Sequence, residues 1–162
     1  MSGQRLVPVL IDDGEVVFDS PKIVDWLEQR FPEPALFPIE PAQRAQVRIF
    51  VEWFNLVWKR PPNALADELE RERPDESRIA EASELMRRAL RVFEDLLEGR
   101  EYLFGEFGAA DVMAFPFLKY AAFGLPDGDD ELFHRVLVEH QPLADGSPIR
   151  AWAARVDAHP RS

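Results

Sequence analysis

Near the start of the chain, Val7, Val9 and Ile11 alternate with other residues, and that period of two predicts a half-buried strand. Asp12-Asp13-Gly14 then supplies a tight turn in which Gly14 is free to take positive φ, and residues 15–18 read as the returning strand. The period changes at once: Ile23, Val24, Leu27 and Phe31 keep the three-four spacing of a helix. Ser20-Pro21 would start that helix, serine as the N-cap and proline at the first helical position, where its missing N–H costs nothing. Residues 31–41, FPEPALFPIEP, carry four prolines and cannot be helical; they predict a linker.

Everything beyond the linker has helical spacing. Residues 42–59 carry Val47, Phe50, Val51, Phe54, Leu56, Val57 and Trp58, apolar over more than half the circumference, which places the helix in a core or at an interface. Pro61-Pro62 should break it, with a short charged helix resuming over residues 63–73. A long helix follows over residues 75–98, with Asp75 as N-cap and Gly99 as its stop. Residues 112–123 form an apolar helix kinked by Pro116; residues 132–139 and 148–160 are the last two. The fold class is therefore mostly α, opened by one β-hairpin and helix. The division is residues 1–31, a Pro-rich linker over 32–41, and a helical domain over 42–162.

Composition narrows the chemistry. Of 162 residues 46% are hydrophobic, with 12 Phe and 4 Trp to fill a core. A formal net charge of −11 argues against a nucleic-acid backbone as partner, since that needs clustered Lys and Arg. With no cysteine, disulfides, Cys-zinc sites and a cysteine nucleophile are excluded within these residues. His134, His140 and His159 lack ligand spacing, so no metal is expected. No stretch approaches the roughly 20 apolar residues of a membrane span, and no secretory signal is evident. A cytoplasmic protein, with no nucleic-acid and no membrane partner, is the expectation.

Two stretches carry a resemblance. Val7-Pro8-x-Leu10, the hairpin, Asp19-Ser20, and the helix closing with Phe-Pro-Glu-Pro-Ala-Leu resemble the second half of the thioredoxin-like domain of cytosolic glutathione transferases. The run from Tyr102 to Asp111, YLFGEFGAAD, is similar to that family's Tyr-Leu-x-Gly-x-x-(Ser/Thr)-x-Ala-Asp segment. The resemblance implies a partial thioredoxin-like domain followed by the family's all-helical C-terminal domain. It further implies that the proline after Val7 is cis, that the Val7 backbone and Pro8 meet the cysteinyl part of glutathione, and that Asp19 and Ser20 hold its γ-glutamyl end. The chemistry agrees: a helix start with unpaired N–H groups attracts a carboxylate, and Asp19 can meet an ammonium. On these two residues alone, Ser20 reads first as a helix cap worth roughly 0.5–2 kcal/mol, and the surrounding pattern favours the binding role.

By the same resemblance Trp53, Phe54 and Phe117 would help to line the pocket of a small hydrophobic electrophile; their simplest reading is core. Gly108 and Asp111 would form a structural capping box, with glycine where the family has Ser or Thr. The family's thiol-activating Tyr, Ser or Cys lies upstream of the Val-Pro element, so no residue here inherits that role and no catalytic residue is assigned. The expectation is a glutathione S-transferase-like protein, with glutathione as co-substrate, a homodimer, and weak or absent conjugation by these 162 residues. The alternative is a non-catalytic binding or dimerisation module on the same fold.

Overall fold

The computed structural model describes residues 8–160. Strands β1 (Val9–Asp12) and β2 (Glu15–Phe18) pair antiparallel, with Val9 opposite Phe18 and Asp12 opposite Glu15. Asp13 and Gly14 join them at φ 43° and 85°, the two positive angles that a two-residue turn needs to match strand twist. The expected inward face is reversed. Ile11 is 68% exposed and Val9 is also exposed, whereas Leu10 and Val17 are partly covered. The hairpin packs through β2 against α1, and this fixes which of its alternating faces is covered.

Helix α1 (Ser20–Arg30) leads into the proline-rich linker. Helix α2 (Pro41–Trp53) is capped by Glu40, whose carboxylate accepts from the Ala42 and Gln43 N–H groups. The expected single helix over 42–59 is in fact two segments, because Phe54–Trp58 widens into a π-helix before α3 (Arg60–Leu69) begins. Pro61 and Pro62 do not break the chain. They fall in the first turn of α3, where an absent N–H leaves nothing unpaired. Helix α4 (Glu76–Leu97) has Asp75 as its cap, with Oδ1 accepting from Ser77 N–H at 2.9 Å. Helices α5 (Ala109–Phe123), α6 (Leu132–Glu139) and α7 (Pro148–Asp157) complete the bundle.

Helix α5 is central, packing on α2, α6 and α7. Rings crowd one side of it. Phe54 stacks on Trp58 at 4.5 Å, and Phe93 meets Phe50, Phe54 and Trp58 edge-on at 5.9–6.2 Å. Phe54 and Phe93 are fully buried, each contributing about 1.5–3 kcal/mol by burial.

The start of α5 is held by Asp111. Its Oδ1 accepts from Leu103 N–H (3.0 Å) and from the Trp152 indole of α7 (2.7 Å), and its Oδ2 accepts from Gly108 N–H at 3.0 Å. Burial pushes the Asp111 carboxyl up from its usual range, and these donors pull it back. Gly108 is the cap, and having no side chain it leaves the other half of the box to its own carbonyl, which lies 3.0 Å from Asp111 N–H. Leu36 O of the linker accepts from Ala109 N–H at 2.8 Å, and a Cβ on Gly108 would stand 2.6 Å from that oxygen. The glycine is there because the linker occupies the space of a side chain.

Candidate functional site

Helix α1 is docked on α2 by polar pairs that run antiparallel along the two helices. Glu28 Oε1 meets Arg44 at 3.4 Å while its Oε2 accepts from Leu36 N–H at 2.8 Å. Asp25 meets Arg48 at 2.9–3.0 Å. At the far end, Asp19 Oδ1 accepts from Asn55 Nδ2 at 3.3 Å. The steps from 44 to 48 to 55 are helix-face spacings, so one side of α2 and its π-helical extension holds α1 along its length.

The N-terminal end of α1 is organised differently from the sequence expectation. Asp19, not Ser20, is the cap, and Ser20 is the first helical residue. Asp19 sits at φ 75°, ψ 123°, outside the common regions for a side-chain-bearing residue, and its carboxylate caps nothing. Such conformations cost about 1–3 kcal/mol and cluster at ligand sites. The first N–H to find an intrahelical partner is that of Ile23, on Asp19 O at 3.0 Å. Pro21 has no N–H. The Ser20 hydroxyl and the Ser20 and Lys22 N–H groups have no partner among the described residues. Asp19 and Ser20 are both half-buried.

Val7, expected beside this point, lies outside the described residues, as does the peptide bond it makes with Pro8. Pro8 is exposed. The ladder ends with Val9 opposite Phe18, so Pro8 precedes and Asp19 follows the same end of the hairpin. The hairpin therefore brings Pro8, Asp19 and Ser20 to one end. A groove of about 250 Å³ opens between α1 and α2 beside Asp19, lined by charged groups including Asp19, Lys22, Asp25, Arg48 and Glu52; Pro8 and Ser20 do not line it. A larger groove of about 480 Å³, between the linker and the start of α5, contains none of these residues.

The three aromatic residues assigned to an electrophile pocket are not equivalent. Phe54 is sealed in the ring cluster. Trp53 is half-buried against Phe50 and Phe93. Phe117 is half-buried against Phe54 at 5.4 Å, with the Lys59 ammonium 5.1 Å from its ring centre. Gly108 and Asp111 lie far along the chain from Asp19 and serve the α5 start. No three His, Cys, Asp or Glu side chains gather to hold a metal among the described residues, and none of their helices is long and apolar enough to cross a membrane.

Sequence reasoning missed Asn55 and Lys59. Lys59 Nζ donates to Asn55 Oδ1 at 2.9 Å, so the two residues and Asp19 form a chain. Desolvation lowers the Lys59 ammonium from its usual range, and the nearby Asp19 carboxylate works the other way. The signal was Asn55 inside the apolar run of residues 53–58, with Lys59 four residues on.

Residues 1–35 match the family model described as glutathione S-transferase, N-terminal domain, and residues 76–155 match the C-terminal domain of the same family. The maleylacetoacetate isomerase of Pseudomonas aeruginosa is 43% identical over 49 residues, 30% of this chain but only 23% of that protein. The chain thus aligns with less than a quarter of that relative's length. Among solved structures, a glutathione S-transferase from Rhodospirillum rubrum superposes with a TM-score of 0.71 at 29% identity, covering 96% of this chain and 67% of that one. A theta class glutathione S-transferase from Xanthomonas axonopodis, solved with glutathione bound, gives 0.65 at 26% identity, covering 94% and 74%.

Proposed function

The chain belongs to the glutathione S-transferase family, and from that membership we propose that the start of α1 binds the γ-glutamyl end of glutathione. The observation that carries the reading is the unspent polarity of that end. The Ser20 hydroxyl and the free N–H groups of Ser20 and Lys22 suit a carboxylate, reinforced by the positive end of the helix dipole. Asp19 Oδ2 has no partner among the described residues and suits an ammonium. Both charges of one zwitterion are met within two residues. Pro8, and with it Val7, would line the path of the cysteinyl part.

Glutathione supplies a thiol, which reacts as thiolate. A small hydrophobic electrophile would rest on the half-buried Phe117 ring, which meets Phe54 edge-on at 5.4 Å, whereas Trp53 packs against Phe50 and Phe93. No tyrosine stands at the α1 start. Tyr102 packs edge-on against Phe107, and Tyr120 stacks on His134. Conjugation near the uncatalysed rate by the 162 residues alone is part of the same proposal. Pairing of two copies belongs to the same proposal, supported by Ile49, Leu56 and Val57, each more than half exposed on α2 and its π-helical extension. A cytoplasmic setting is also part of it.

Calorimetric titration with glutathione tests the reading. Binding by the wild-type chain, weakened roughly tenfold by Ser20→Ala through loss of a hydrogen bond to a charged group, supports it. No heat of binding, or an unchanged affinity in Ser20→Ala, contradicts it.

A further inference from the structure

We infer that Asn55 and Lys59 are positioning residues for the Asp19 carboxylate, so that the helical half sets how strongly the ammonium of the γ-glutamyl group is held. This rests on the proposed function above. Asp19 is held at positive φ with no capping bond to its own helix, so nothing local orients its side chain. Among the described residues, the one side-chain donor that reaches it comes from 36 residues away, the Asn55 amide at 3.3 Å. An amide can rotate and present its oxygen instead, which would repel the carboxylate. Lys59 prevents this: its Nζ occupies the Asn55 oxygen at 2.9 Å, which leaves the NH₂ group facing Asp19.

Lys59 is in turn fixed. Its ammonium lies 5.1 Å from the Phe117 ring centre and 5.9 Å from that of Phe54. Phe54 is anchored in the core, stacked on Trp58. The chain of contacts thus runs from the ring cluster through Lys59 and Asn55 to one oxygen of Asp19, leaving its other oxygen without a partner among the described residues. The π-helix ends at Trp58, immediately before Lys59. Widened turns of this kind recur at functional sites.

The test compares two ligands on the full chain. Glutathione carries the γ-glutamyl amine; glutaryl-cysteinylglycine is the same peptide without it. The ratio of their affinities reports the Asp19–ammonium contact alone. In wild type the ratio should favour glutathione. In Asn55→Ala and Lys59→Met it should fall by roughly three- to tenfold, as loss of one hydrogen bond in the chain predicts. Lys59→Arg, which keeps a donor, should retain most of it. An unchanged ratio in Asn55→Ala and Lys59→Met overturns the inference. Equal weakening of both ligands also overturns it, because that is the mark of a purely structural role. A wild-type chain that binds neither peptide overturns the proposed function itself, a different result from a wild type that binds with variants that do not differ.

Discussion

Two aspartates stand at the starts of two helices, and they are treated in opposite ways. Asp111 is buried, with both carboxylate oxygens occupied by protein donors from a loop, a cap and a distant tryptophan. Among the described residues, Asp19 is half-buried at a positive φ, with one long hydrogen bond and one open oxygen. The first arrangement is complete without any other molecule. The second spends conformational energy to hold a charged group unsatisfied, which is stable only because α1 is clamped to α2 along its length. The difference separates a residue that holds the fold from one whose proposed partner is a ligand, without reference to what either is near in sequence.

The contrast can be broken by exchange. Asp111→Ala would leave two buried donors and one half-buried donor without an acceptor, and should cost roughly 3–5 kcal/mol, seen in a denaturant melt. A loss below about 1 kcal/mol would remove Asp111 from its structural role. Next in size is Gly108→Ser. Capping preference alone favours serine, yet its Cβ would meet Leu36 O at 2.6 Å, so the variant should lose about 1–3 kcal/mol. A gain in stability would show that the linker yields.

Asp19→Gly reverses the sign. Glycine adopts positive φ freely, so this variant should melt at or slightly above the wild-type temperature, within about 1 kcal/mol, while binding glutathione more weakly. The smallest effect concerns a part-buried pair. Ser83 Oγ lies 2.7 Å from His140 Nδ1, and burial lowers the imidazole from its usual value of 6.5. The neutral ring is the one that the fold prefers. Its contribution is therefore fully present above pH 6.5 and is lost as the pH falls toward the folded-state value. Melting temperature should decline modestly over that range and less so in His140→Gln; parallel curves would exclude the pair as the cause.

The helices from α4 onward were legible because their caps and stops are local: Asp75, Gly99 and the prolines act within a turn of where they stand. The helix through residues 42–59 was not, since a π-helix keeps apolar spacing and announces itself only in the hydrogen-bond ladder. The turn at Asp13-Gly14 was readable, but the covered face of the hairpin was decided by α1. Asp19 and Ser20 were found through the resemblance, and their exchanged roles at the helix start depended on a backbone angle. Asn55 and Trp152 were invisible as partners because each reaches an aspartate more than 35 residues away. Gly108 read as a weak cap until the linker carbonyl beside it was seen.

The most direct test is a paired measurement on wild type and Asp19→Gly: melting temperature, and affinity for glutathione by calorimetry. The account predicts that wild type binds, and that the variant melts no lower yet binds at least about tenfold more weakly, a difference of about 1.4 kcal/mol. A variant that binds glutathione as tightly as wild type, or that loses binding only because it unfolds, would contradict the reading of Asp19 as a group held open for a ligand.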